Sequence, residues 1–186
     1  MRRYVMSHLP MAVVYALLIF AIRGMWWQLN WGNLLSWGGW VTGVVVGVLI
    51  LFLDRVAYTY SYPGEQLSQQ VQWYFKEKKY WTALSLLDSR RLEQEKLTFR
   101  SALFMAIWVP LAFFALTSTP LLFGKGVVMG LMLHILLDAW RLQRTDGQRL
   151  HVRLFWMIKR PFTNEERLIF LWIMTGIFAL FSFWVG

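Results

Sequence analysis

The chain has 186 residues, 58% of them apolar, a net charge of +9 and no cysteine. The lack of cysteine excludes disulfides, thiolate metal sites and cysteine nucleophiles. Several apolar runs approach the roughly 20 residues that a helix needs to cross about 30 Å of hydrocarbon, which points to a membrane protein rather than a soluble domain.

The expected fold is an all-α integral membrane protein: a bundle of five transmembrane helices with a cytoplasmic helical hairpin. The spans fall at about 4–22, 34–53, 102–119, 126–140 and 168–185. Placing the N-terminus in the cytoplasm puts 17 of the 19 basic residues on the cytoplasmic side and leaves Arg23 and Lys125 outside. This positive-inside bias orients the chain with its C-terminus outside, and it accounts for the basic excess without a nucleic-acid partner. Twelve tryptophans suit two membrane interfaces, where indole rings collect.

Met1-Arg2-Arg3 and the apolar run behind it read as an uncleaved first helix, because no small-x-small site precedes Arg23. The first external loop, 23–37, holds Trp26, Trp27, Trp31 and Trp37 and reads as an interfacial belt. The second span carries Gly39, Gly43 and Gly47 on one face, a stripe that permits close helix contact, and ends at Asp54-Arg55.

Residues 57–100 form the largest cytoplasmic insertion. One apolar stripe runs through Leu67, Val71, Tyr74 and Phe75, and another through Trp81, Leu84, Leu87 and Leu92. The expectation is a helical hairpin whose apolar faces pair or rest on the membrane, and which caps the bundle or engages a cytoplasmic protein partner. The third span contains Pro110, which can kink a membrane helix. Residues 141–167 mix basic and apolar side chains and suit an interfacial segment touching anionic lipid. Thr163 and Glu166 have the spacing of a capping box, and the last span, without a charge after Arg167, reads as a lipid-facing wall.

The stretch 126–138 stands out. Gly126, Gly130, His134 and Asp138 recur every four residues and share one helix face inside an apolar span. Ionisable groups in such a segment face protein or trapped water. The second and fourth spans run in the same direction. By helical rise, Asp54 lies about 10.5 Å beyond Gly47 and Asp138 about 12 Å beyond Gly130. Packing of the two glycine stripes would bring Asp54, His134 and Asp138 to similar depth near the cytoplasmic face. Such stripes serve contacts within a chain and between chains equally, so an oligomer is also open.

Imidazole and carboxylate are good ligands for a zinc-like divalent metal, and His134 and Asp138 at i, i+4 can reach one ion, with Asp54 as a third ligand. With these surroundings the chain resembles the membrane-bound metal-dependent hydrolases of the bacterial inner membrane. That family carries Asp-x-Asp-His at the cytoplasmic end of an early span, His-Ser at the start of a later one and His-x-x-x-Asp on the next. Phe52-Leu53-Asp54-Arg55, Arg100-Ser101 and His134 to Asp138 stand at those places here. The resemblance covers about residues 40–140 and implies a bacterial inner-membrane location.

The chain departs from the pattern at Phe52, in place of an acid, and at Arg55 and Arg100, in place of histidines. Arginine is no metal ligand, but it pairs well with carboxylates. Two readings follow. In one, Arg55 and Arg100 neutralise Asp54 and Asp138 in a non-catalytic ion-pair cluster, above a cytoplasmic face that binds lipid or a partner. In the other, Asp54, His134 and Asp138 hold a metal that activates water for hydrolysis.

Overall fold

In the computed structural model the described residues are 2–24, 31–91, 93–118 and 120–185, with side chains from residue 10 onward except 23, 24, 31 and 33. They form eight helices and no strand: α1 (Arg2–Gly24), α2 (Trp31–Ser61), α3 (Gln66–Lys76), α4 (Tyr80–Ser89), α5 (Ala102–Ser118), α6 (Leu122–Thr145), α7 (Gly147–Phe155) and α8 (Asn164–Trp184).

Among the described residues three helical segments, not five, are long and apolar enough to cross a membrane: Leu34–Ser61, Leu122–Thr145 and Asn164–Trp184. Pro10–Ile22 and Ala102–Ser118 are apolar but shorter. The 17 residues of α5 cover only about 26 Å at the helical rise. Two helices outrun their expected limits. α2 continues through Asp54 to Ser61, and α6 runs from Leu122 to Thr145 rather than over 126–140. A charge marks where an apolar run ends, and a helix passes through it wherever protein surrounds the charge. Residues 25–30 of the expected external loop lie outside the described residues. Trp37 does not belong to a loop; it is buried within α2.

The tightest contact in the bundle is between α2 and α6. A methyl group added at Gly43 or Gly47 would collide with the backbone at Phe123 or Val127. One added at Gly126 or Gly130 would collide with the backbone at Trp40 or Val44. Gly39 is looser, with Phe123 Cβ 3.7 Å from such a methyl. The two helices therefore run parallel with their main chains in contact. The pairing of Gly43 with 123–127 and Gly47 with 127–131, carried on seven residues, sets Asp54 level with 134–138.

Indole and hydroxyl donors join the other helices to this pair. Trp40 Nε1–H donates to Ala16 O of α1 at 3.3 Å, and Trp108 Nε1–H of α5 donates to Val128 O at 3.1 Å. Trp140 Nε1–H donates to Thr175 Oγ1 of α8 at 3.0 Å, and the Tyr15 and Ser182 hydroxyls join α1 to α8 at 2.8 Å. A donor withdrawn from water is costly unless paired, so each bond fixes a helix crossing. These tryptophans serve the interior rather than an interfacial belt.

At the charged end, α3 and α4 form a hairpin with its own core of Leu67, Val71, Ala83 and Leu87, and Val56 of α2 packs against it. Trp81 is left out of that core, 77% exposed, because Ala83 and Leu87 supply the inward face of α4. The basic segment is not merely superficial: α7 tucks Leu150, Leu154 and Phe155 into the main core. The capping box of α8 is present, with Glu166 N–H donating to Thr163 Oγ1 (3.2 Å) and Thr163 N–H to Glu166 Oε2 (2.8 Å). α8 buries Leu171, Met174, Phe178 and Phe181 and turns Trp172, Leu180 and Phe183 outward, so only one side is a wall.

Overpacking of this kind costs about 1–3 kcal/mol per site. Gly47→Ala and Gly130→Ala should each lower the melting temperature in detergent. Gly176→Ala, with no neighbour within 4 Å, should be neutral or slightly stabilising.

Candidate functional site

The α2–α6 register gathers charged residues at one end of the bundle. Asp54 is buried on α2, and its Oδ2 accepts the Phe99 N–H at 3.2 Å. That bond holds the segment leading into α5, where Ser101 Oγ accepts the Phe104 N–H at 3.2 Å and donates to Thr98 O at 2.8 Å. With its backbone fixed, Arg100 extends from the start of α5 to α6, and its Nε lies 3.0 Å from Asp138 Oδ2. Arg153 of α7 reaches the same oxygen with Nη1 at 3.6 Å. Its Nη2 donates to Arg91 O at 3.4 Å.

Asp138 is thus clamped by guanidinium groups from two other elements. His134, 2% exposed, stands one turn earlier on the same helix.

Asp54 and Arg55 diverge. Arg55 Nη1 pairs with Asp88 Oδ1 of α4 at 3.3 Å and ties the hairpin to α2. Its guanidinium also lies 5.6 Å from the centroid of Phe52. Arg100 pairs with Asp138, and Asp54 accepts a main-chain bond with the positive charges of Arg100 and Arg55 acting on it as well.

Two elements of the cluster escape sequence reasoning. Arg153 sits among basic residues that look uniformly solvated; its only signal is its place between Leu150 and Leu154 on a short helix that buries all three. Asp88 carries no signal, since only the folded hairpin brings α4 beside α2.

Asp138 presents its oxygen to two guanidinium groups and Asp54 to a peptide N–H. Among the described residues no three His, Asp or Glu side chains come together in a metal-binding group.

Beside the cluster opens a pocket of about 290 Å³, lined by Arg55, Arg91, Arg100, Arg141, Arg149 and Arg153 against only two carboxylates, Asp138 and Asp146. Arg149 lies 3.6 Å from Asp146, which also caps α7 by accepting the Arg149 N–H at 3.0 Å. Six guanidinium groups around one concavity make an environment for an anion, because their planar forks match carboxylate and phosphate oxygens.

No family model matches the chain, and no curated protein or solved structure matches it.

Removing Asp138 would leave Arg100 and Arg153 facing each other with no shared carboxylate. Asp138→Ala should cost about 3 kcal/mol or more, the range for breaking a buried pair. Arg100→Met combined with Asp138→Leu should recover the part of that loss due to Arg100 and leave the part due to Arg153. Thermal unfolding of the single and double variants measures both.

Proposed function

We propose that this chain is a non-catalytic multi-pass protein of the bacterial inner membrane, N-terminus cytoplasmic, that binds an anionic group in the arginine-lined pocket on its cytoplasmic side. The ligand we infer is the phosphate-bearing headgroup of an acidic phospholipid. The observation that carries this is the imbalance of charge around the pocket, six arginines to the lining Asp138 and Asp146 and to Asp88 on Arg55, with Asp138 already shared between Arg100 and Arg153. A basic pocket between membrane helices on the cytoplasmic side is the usual setting for acidic headgroups. Seventeen of the 19 basic residues fall on that side in the orientation inferred from charge bias.

The resemblance to membrane-bound metal-dependent hydrolases fits the same proposal. His134 and Asp138 keep the family's spacing, while Arg55 and Arg100 stand where its pattern has histidines. A guanidinium brings fixed positive charge to a place where the hydrolases hold a metal, and it offers no open coordination position to activate water. The reading in which Asp54, His134 and Asp138 carry out metal-dependent hydrolysis is not favoured, because the two aspartates are engaged elsewhere.

Arg91 and Arg141 line the pocket without being part of the Asp138 clamp. If each contributes about 1 kcal/mol toward an acidic headgroup, each substitution by Gln weakens retention about fivefold. Native mass spectrometry of the protein released from detergent with phosphatidylglycerol or phosphatidylcholine should show preferential retention of the acidic lipid, and loss of that preference in Arg91→Gln/Arg141→Gln. Equal retention of both lipids by the unaltered protein would refute lipid binding at the pocket. Elemental analysis should find no stoichiometric metal; near-stoichiometric metal, lost in His134→Ala, would restore the hydrolase reading.

A further inference from the structure

The α3–α4 hairpin carries a second surface, separate from the arginine pocket and independent of it. Its direction is set by three contacts. Gln72 Nε2–H donates to Thr59 O at 2.6 Å, so α3 lies back along the end of α2. Val56, earlier on α2, packs into the hairpin core with Val71. Arg90 Nη1–H donates to Gln70 Oε1 at 3.0 Å, so the far end of α4 returns to the first half of α3. The chain after α2 therefore folds into a hairpin held against the end of α2 around Val56 and Thr59. The hairpin thus packs beside the end of α2 next to Asp54 and Arg55, the first charges after the apolar run of the Leu34–Ser61 span, with Asp88 of α4 on Arg55.

The chemistry of the turn 77–79 suits a place beside the membrane surface. Trp73, Tyr80 and Trp81 are 52%, 55% and 77% exposed, outside the hairpin's own core. Lys76, Lys78 and Lys79 surround them with only Glu77 opposed in sequence. Lys79 Nζ lies 5.3 Å from the ring centroid of Trp73, which joins cation and aromatic in one patch. Lys78 has φ = 56°, a left-handed conformation that glycine adopts more easily, so the apex holds a cation at some backbone cost.

Aromatic rings flanked by lysine, at the edge of an apolar span, are the combination that settles in lipid headgroups, with the rings at the acyl boundary and the ammonium groups among phosphates. We infer that the tip of the α3–α4 hairpin dips into the headgroup layer of the bilayer and is held there by acidic phospholipid.

The absence of native cysteine permits a direct test. Nitroxide labels are placed one at a time at Trp73→Cys, Trp81→Cys, Glu95→Cys and Leu180→Cys in the full-length protein in nanodiscs. Collision with oxygen, which concentrates in lipid, is compared with collision with a water-soluble nickel chelate. Labels at 73 and 81 should show an oxygen-to-nickel ratio several-fold above Glu95 and below Leu180. The ratio should fall when phosphatidylglycerol is replaced by phosphatidylcholine, or when Lys76, Lys78 and Lys79 are changed to Gln. Labels at 73 and 81 as nickel-accessible as at Glu95 in every lipid would overturn the inference. So would labels shielded from both reagents, the mark of a surface covered by protein.

Discussion

The contact of bare backbone between α2 and α6 governs the rest of the molecule. Between helices in hydrocarbon there is little hydrophobic drive, so association rests on close packing and on hydrogen bonds. Gly43 and Gly47 admit the main chain of α6, and Gly126 and Gly130 admit that of α2, each pair filling the gap left by the other. The contact is stereospecific because a shift of one residue along either helix would present a Cβ where the partner's carbonyl lies. It therefore sets the depth of everything beyond it on both helices. It also uses both stripes inside one chain, so self-association through glycine faces would first require the bundle to open.

At the charged end this register is converted into an interlock. Asp54 grips the backbone before α5, that backbone delivers Arg100 to Asp138, and Asp138 in turn receives Arg153 from α7. Arg55 ties on the hairpin through Asp88. Five elements are thus connected by four charged links of limited solvent access. Such links are poor sources of net stability, since withdrawing a charge from water offsets much of the attraction. Their value is specificity of arrangement: with so few carboxylates for so many guanidinium groups, alternative pairings would leave a charge stranded.

How much of this was legible in the sequence depends on the kind of signal. Four-residue spacing is a property of one helix, so the glycine stripes, the shared face of His134 and Asp138, and the Thr163–Glu166 cap could be read directly. Which partner Asp138 meets depends on loops that place Arg100 and Arg153, and no periodicity encodes that. The helix ends at Ser61 and Thr145 were obscured because hydropathy reports the surroundings of a residue rather than its backbone. Composition counted the tryptophans but could not distinguish a ring at an interface from one donating across a helix crossing, as Trp40, Trp108 and Trp140 do. The hairpin was recognisable as two short amphipathic helices. The direction in which it folds hangs on single bonds such as Gln72 to Thr59.

The composition of the pocket has one more consequence. Guanidinium groups keep their proton throughout the range of pH a cell experiences. A cavity ringed by lysine or histidine would lose attraction as its surroundings turned alkaline, whereas this one holds a constant field. On the proposed reading, occupancy would follow the supply of the anion and the competing ions around it.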